Sequence, residues 1–306
     1  MKLNKKLLII ISVVILIGGI GLIYKFTSSV PTKESNNLNA LNETKKLEKK
    51  SEETLLITQQ PNKLPAYDIS KNEETISKPV SINIVENNKI PILMYHSISY
   101  EKGNTLRIPK ENFRNQMKYL SNNNYTTLSL DELYSYMQKG EKLPTKPIVI
   151  TFDDGYKDNY TNAYPILKEF NLKATVFVIT NCIDIEKNYL TTNEIKLMDL
   201  HNVRIESHTE AHEHLDKISY KDNVKTMTAS KVKLENILNR KINYIAYPYG
   251  GYTESTIKAA KQTGYILAFS TEFGWIGKND NIYSLGRIFV SSDYNLEQFK
   301  AKLNLK

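Results

Sequence analysis

From Ile90 onward, short apolar runs alternate with segments of helical periodicity, and this alternation limits the folds open to the chain. Residues 90–95, 147–152, 174–179, 203–206, 245–247, 267–270 and 285–290 read as strands. Between them, Phe113, Met117 and Leu120 share one helical face, and Val224, Met227, Leu234 and Ile237 share another. Ser129 and Glu132 predict a capping box ahead of a helix reaching about Lys139. Residues 162–170 and 192–200 read as further helices, the helix over 253–263 stops at Gly264, and Asn295 with Gln298 caps the last one. Strands and helices in strict alternation predict a mostly parallel sheet with helices outside it. About seven strands fit either a barrel or an open doubly wound sheet. In a barrel, reactive groups gather at the C-terminal ends of the strands.

The N-terminus has a different character. Lys2, Lys5 and Lys6 precede an uncharged apolar stretch over residues 7–24. That is long enough to span a bilayer, whereas a secretory signal has a core of about 7–15 residues. Residues 1–26 therefore read as cytoplasmic lysines and a transmembrane anchor, with a cleaved signal and a secreted product as the alternative. The lysines orient the rest of the chain outward. No cysteine follows the stretch, which excludes a lipoprotein anchor. Residues 27–88 are rich in Asn, Lys, Glu, Ser and Thr and nearly free of aromatics, so they read as a disordered extracellular linker. The catalytic domain is assigned to 89–306. The formal net charge of +8 comes from scattered lysines. It implies attraction to an anionic surface, with no nucleic-acid module and no obligate protein partner. The single cysteine, Cys182, allows no internal disulfide and completes no metal motif.

Three polar clusters follow strands. In Thr151-Phe152-Asp153-Asp154-Gly155, two adjacent acids repel unless a cation lies between or beside them. One carboxylate can then bind a metal while the other stays free as a base, although Asp-Asp-Gly is also an ordinary turn sequence. The second cluster runs from Ser207 to Leu215 and holds three of the five histidines of the chain. His208 and His212 are spaced i, i+4, so one helical turn would bring both imidazoles to the same side. With one Asp they make a two-His, one-carboxylate set that leaves coordination positions open. His214, two residues beyond His212, would point elsewhere on such a turn. In the third cluster, Ile245-Ala-Tyr-Pro-Tyr-Gly-Gly-Tyr252, Pro248 restricts the backbone and Gly250 and Gly251 relax it. Such a loop can aim a backbone N–H at a developing oxyanion, or be only a tight turn.

The order Thr-Phe-Asp-Asp-Gly, then His-Thr-x-x-His-x-x-Leu, then Tyr-Pro-Tyr-Gly resembles the polysaccharide deacetylase family, also called the NodB-homology or carbohydrate esterase family 4 domain, over residues 90–306. The resemblance implies a distorted (β/α) barrel, a divalent metal (zinc above all, with cobalt, nickel or manganese as alternatives), and removal of N-acetyl groups from N-acetylglucosamine-containing polysaccharide. It assigns Asp153 as general base, Asp154, His208 and His212 as metal ligands, the Tyr249 N–H to the oxyanion hole and Leu215 to the acetyl pocket. Two departures stand out. Ala246 occupies the place of an Arg that orients the base in many relatives, and no His follows His214, so the late Leu-x-His motif of those relatives is missing. The run Pro91-Ile-Leu-Met-Tyr-His96-Ser97 resembles instead the permuted branch that contains poly-N-acetylglucosamine deacetylases, which makes His96 the expected general acid. From position alone, Arg287 is expected to replace the missing Arg, and Trp275 to wall the acetyl pocket. The polymer is left open between peptidoglycan and poly-N-acetylglucosamine. The competing reading is a glycan-binding surface protein with a decayed site.

Overall fold

The computed structural model describes residues 89–304, and the expected anchor over 7–24 and linker over 27–88 lie outside them. Among the described residues, no helix is long and apolar enough to cross a membrane. The strands are β1 (Ile90–Tyr95), β2 (Thr126–Thr127), β3 (Pro147–Phe152), β4 (Ala174–Val178), β5 (Val203–Ser207), β6 (Tyr244–Ala246), β7 (Leu267–Phe269), β8 (Trp275–Ile276) and β9 (Ile288–Phe289). The helices are α1 (Lys110–Asn122), α2 (Leu130–Lys139), α3 (Tyr164–Glu169), α4 (Thr192–Asp199), α5 (Tyr220–Leu238), α6 (Glu254–Gln262) and α7 (Leu296–Lys302).

Seven strands run parallel in the spatial order β7-β6-β5-β4-β3-β1, with β9 alongside β1. Short β2 pairs with the start of β3, and β8 lies antiparallel to the start of β1. The result is an α/β half-barrel, and residues 282–290 span its gap. The Leu285 N–H donates to the Ala268 carbonyl of β7 (3.0 Å), and the Val290 N–H donates to Met94 of β1 (3.1 Å). All six residues of both β1 and β3 are buried, as expected of parallel strands covered on two faces.

Period-two alternation divides the strand residues into two packed sets. Ile90, Ile92, Val149, Phe177, Tyr244, Ala246, Leu267, Phe269 and Leu285 pack together inside the barrel, with Leu130, Leu133 and Met137 of α2 among them. Leu93, Tyr95, Ile148, Ile150, Val176, Ile205 and Ala268 face the outer helices. The helix starts follow the sequence closely. Ser129–Glu132 and Asn295–Gln298 form the expected capping boxes, and Thr191–Glu194 and Thr253–Thr256 form two more. The helix expected over 162–170 begins instead with a widened π turn over Asn159–Ala163. Pro165 has no N–H to give to that turn, and the wider turn accommodates it. The two-residue strands β2 and β8 were not foreseen, because two residues carry no periodicity.

One polar network sits inside this apolar frame. Glu206 is fully buried, accepts from the N–H groups of Asn243 and Tyr244 at 3.0 Å each, and pairs with Arg240 at 2.9 Å. Arg240 also pairs with Asp199 and donates to the Ile205 carbonyl, so it joins β5 to α4. Removing it leaves the buried Glu206 carboxylate with its two backbone N–H donors and only the more distant Arg204, 3.5 Å away, as a charge partner. The Arg240→Met variant is therefore expected to lose about 3 kcal/mol of unfolding free energy, measured by urea denaturation.

Candidate metal centre and active site

Each reactive group stands just past the C-terminal end of a parallel strand. His96 follows β1, Asp153 and Asp154 follow β3, His208 follows β5, and Tyr249 lies three residues beyond β6. His96, Asp153 and His208 extend the inward register of their strands by one step, since they share parity with Ile92, Val149 and Glu206. Asp154 has the opposite parity. Its φ of +71° turns it back toward the site, and Gly155 follows at φ +77°. A Cβ on Gly155 would meet Val178 Cγ1 at 2.7 Å, so this turn requires glycine.

Asp154 Oδ1 lies 3.4 Å from His208 Nε2 and 3.3 Å from His212 Nε2. All three ligand atoms fall within 4.8 Å of one another. Asp154 Oδ1 is buried and has no hydrogen-bond partner. The His208 Nδ1 is 2.8 Å from the Ala246 carbonyl, which only accepts, so Nδ1 carries the proton and Nε2 presents its lone pair. An orphaned carboxylate oxygen facing two imidazole nitrogens is a donor set that fits a divalent cation of the zinc type.

The two histidines do not lie on a helical turn, contrary to expectation. Residues 208–212 form a tight loop with Thr209 at φ +68° and His212 at φ +58°. The i, i+4 spacing converges through these left-handed residues, which cost of order 1–3 kcal/mol each outside glycine. The His212 N–H donates to Thr209 Oγ1 at 3.0 Å and closes the loop.

Asp153 is held from the other side. The Arg287 guanidinium grips its carboxylate through both oxygens at 2.7 Å, and also donates to the Ser270 carbonyl and to Thr151 Oγ1. Arg287 is completely buried. Burial raises the Asp153 carboxyl, but Arg287 more than offsets this and lowers it. His96 is fixed through its backbone. The Asn159 side-chain amide donates to the His96 carbonyl at 2.8 Å, and Asp158 accepts from Ser97 Oγ and the Ile98 N–H. Burial lowers the imidazole pKa of His96. Neither Asp158 nor Asn159 stood out in the sequence, because their work is to brace a backbone 60 residues away.

Tyr249 adopts φ +59°, and Gly250 follows at φ +73°, where a Cβ would strike Thr271 Oγ1 at 2.0 Å. Leu215 is fully buried beneath the histidine loop, and its carbonyl accepts from Asn223 and Thr256. Trp275 is a correction. Its main chain pairs with Pro91, five residues before His96, or about 16 Å along the strand at about 3.3 Å per residue. It therefore stands at the opposite end of β1 from the site and does not wall it.

Comparison with known proteins agrees with this geometry. Residues 140–268 match the family profile described as Polysaccharide deacetylase. YxkH of Bacillus subtilis, whose name assigns it to the polysaccharide deacetylases, is 39% identical over 236 residues, which span 77% of this chain and 83% of the relative. The chain belongs to the polysaccharide deacetylase family. Among solved structures, this deacetylase is similar to the Streptococcus pyogenes deacetylase PplD in complex with acetate, at 30% identity and a TM-score of 0.68, covering 72% of this chain and all of that one. A Staphylococcus aureus poly-beta-1,6-N-acetyl-D-glucosamine N-deacetylase is 32% identical over 203 residues, covering 61% of this chain and 68% of the relative.

The donor set makes a direct prediction. Isothermal titration with zinc should find one tight site per chain, and His208→Ala or His212→Ala should weaken it at least 100-fold, more than loss of an outer hydrogen-bond partner costs.

Proposed function

We propose that this chain removes N-acetyl groups from N-acetylglucosamine residues of an extracellular polysaccharide with the help of a divalent cation, and that poly-β-1,6-N-acetylglucosamine rather than peptidoglycan is the polymer. The observation that carries this reading is the orphaned Asp154 oxygen facing two imidazole nitrogens, next to a second carboxylate that Arg287 holds apart. The polymer preference draws on the similarity to the staphylococcal enzyme and on the place of His96 at the end of the first strand. In the same reading, residues 7–24 tether the catalytic domain to the outer face of the membrane and residues 27–88 act as its spacer.

Asp154, His208 and His212 would hold the cation, with zinc favoured by two imidazoles and one carboxylate. Bound there, it supplies Lewis-acid polarisation of the acetyl carbonyl and makes the attacking water more acidic. Asp153 takes a proton from that water as it attacks, and its ionised state is secured by Arg287. The Tyr249 N–H, on a left-handed residue, donates to the oxyanion that develops on the acetyl oxygen. His96 protonates the departing sugar nitrogen as the C–N bond breaks, and burial makes its imidazolium a stronger acid than usual. Water and amide are consumed, and acetate and a glucosamine residue are formed. In this scheme Arg287 takes the place of the absent third-motif Arg, from the segment just before β9.

The test is acetate release from poly-β-1,6-N-acetylglucosamine and from peptidoglycan, side by side, with the Asp153→Asn variant as control. The expected outcome is faster release from the first polymer, loss of release on chelation with recovery on adding zinc, and a fall of about 10²–10⁴-fold in Asp153→Asn. Equal rates in parent and variant overturn the base assignment. Faster release from peptidoglycan overturns the polymer assignment. A parent protein that binds glycan and releases no acetate shows a decayed site.

A further inference from the structure

Tyr249 is 56% exposed, so core packing does not hold this left-handed residue in place. What it does touch is specific. Its ring lies flat on the imidazole of His214, with centroids 3.8 Å apart and planes 8° from parallel. It also meets His212 edge-on at 4.4 Å, and His212 in turn meets His208 at 4.9 Å. The four rings form a continuous chain from the outer surface to the buried ligand set. At its outer end, His214 Nδ1 stands 3.9 Å from Asp216 Oδ1, and Asp216 packs against Gly251, where a Cβ would approach that same oxygen to 2.6 Å. The loop after β5 and the loop after β6 are thus joined by the stack of His214 on Tyr249, by the edge of His212 against Tyr249, and by Asp216 against Gly251.

We infer that His214 is a positioning residue: by stacking on Tyr249 it holds the Tyr249 N–H toward the reacting carbonyl and fixes the ring plane of His212. This inference rests on the deacetylase reading given above for Tyr249 and His212. A flat ring is what the contact requires, and no hydrogen bond joins His214 to Tyr249 among the described residues. The two left-handed residues that the stack serves, His212 at φ +58° and Tyr249 at φ +59°, lie on separate loops with no strand pairing beyond β5 and β6 to hold them together. His214 itself is about half exposed, so its replacement leaves the core untouched.

The experiment uses the full chain with His214→Ala and His214→Phe. Kinetics are measured on N-acetylglucosamine oligomers, and the visible absorption spectrum is recorded after loading with cobalt(II) alone, which reports ligand geometry without any turnover. The expected result is a kcat about tenfold lower for His214→Ala with KM little changed, as for loss of a group that orients a ligand. A shifted cobalt spectrum is expected in the same variant. His214→Phe, which keeps a flat ring, should return both towards the parent. A parent-like spectrum and kcat in His214→Ala overturn the inference, and so does a His214→Phe variant as impaired as His214→Ala. If the parent itself releases no acetate, the functional reading fails, while the cobalt spectra of the three proteins still decide whether the stack positions His212.

Discussion

The buried pair between Asp153 and Arg287 organises the centre of this molecule. Asp153 directly follows β3, and Arg287 lies in the segment that spans the gap in the half-barrel, so their two hydrogen bonds of 2.7 Å tie the last strand segment to the middle of the sheet. Taking both charges out of water is costly, and the geometry offsets this by satisfying both carboxylate oxygens and three guanidinium nitrogens at once. With Asp153 saturated on the Arg287 side, the adjacent Asp154 can remain ionised only by turning elsewhere. Its left-handed backbone does that, carrying it to the two imidazoles. Two neighbouring acids thus acquire separate partners.

The positions of these groups follow from the sheet. A strand places alternate side chains inside, and the inward sets of β3 and β5 continue past the strand ends to Asp153 and His208, each two residues beyond a buried polar residue, Thr151 or Glu206. The same parallel direction brings every such end to one mouth of the barrel, while α2 covers apolar residues in its interior. The strained residues collect at that mouth. Asp154, Thr209, His212 and Tyr249 all have positive φ without being glycine, and each belongs to a loop at the carboxylate–imidazole cluster or beside it. The capped helices and the fully buried central strands are the rigid frame that holds these loops.

Family membership and geometry point to the same chemistry by separate routes. The relatives establish a polysaccharide deacetylase, and the orphaned oxygen of Asp154 marks where a cation fits. Arg287 places a buried positive charge directly against Asp153. The guanidinium comes from the closing segment instead of the third motif, where Ala246 offers its carbonyl to His208.

The sequence by itself determined the order of the seven parallel strands and of the helices between them, the capping boxes at Ser129 and Asn295, and the singling out of Asp153, Asp154, His208 and His212, because periodicity, caps and motif spacing are local properties. Only the tertiary structure decided how those residues meet. The i, i+4 spacing of the histidines suggested a helical turn, and the chain uses a left-handed loop that carries both imidazoles to an aspartate following another strand. Arg287 and Asp153 are 134 residues apart and meet only when the barrel wraps round. Trp275 shares a segment with the closing loop, yet pairing with Pro91 carries it to the far end of β1. Asp158, Asn159 and the stack of His214 on Tyr249 were illegible for the same reason: each acts by holding a distant backbone or ring, and such contacts leave no local pattern in the sequence.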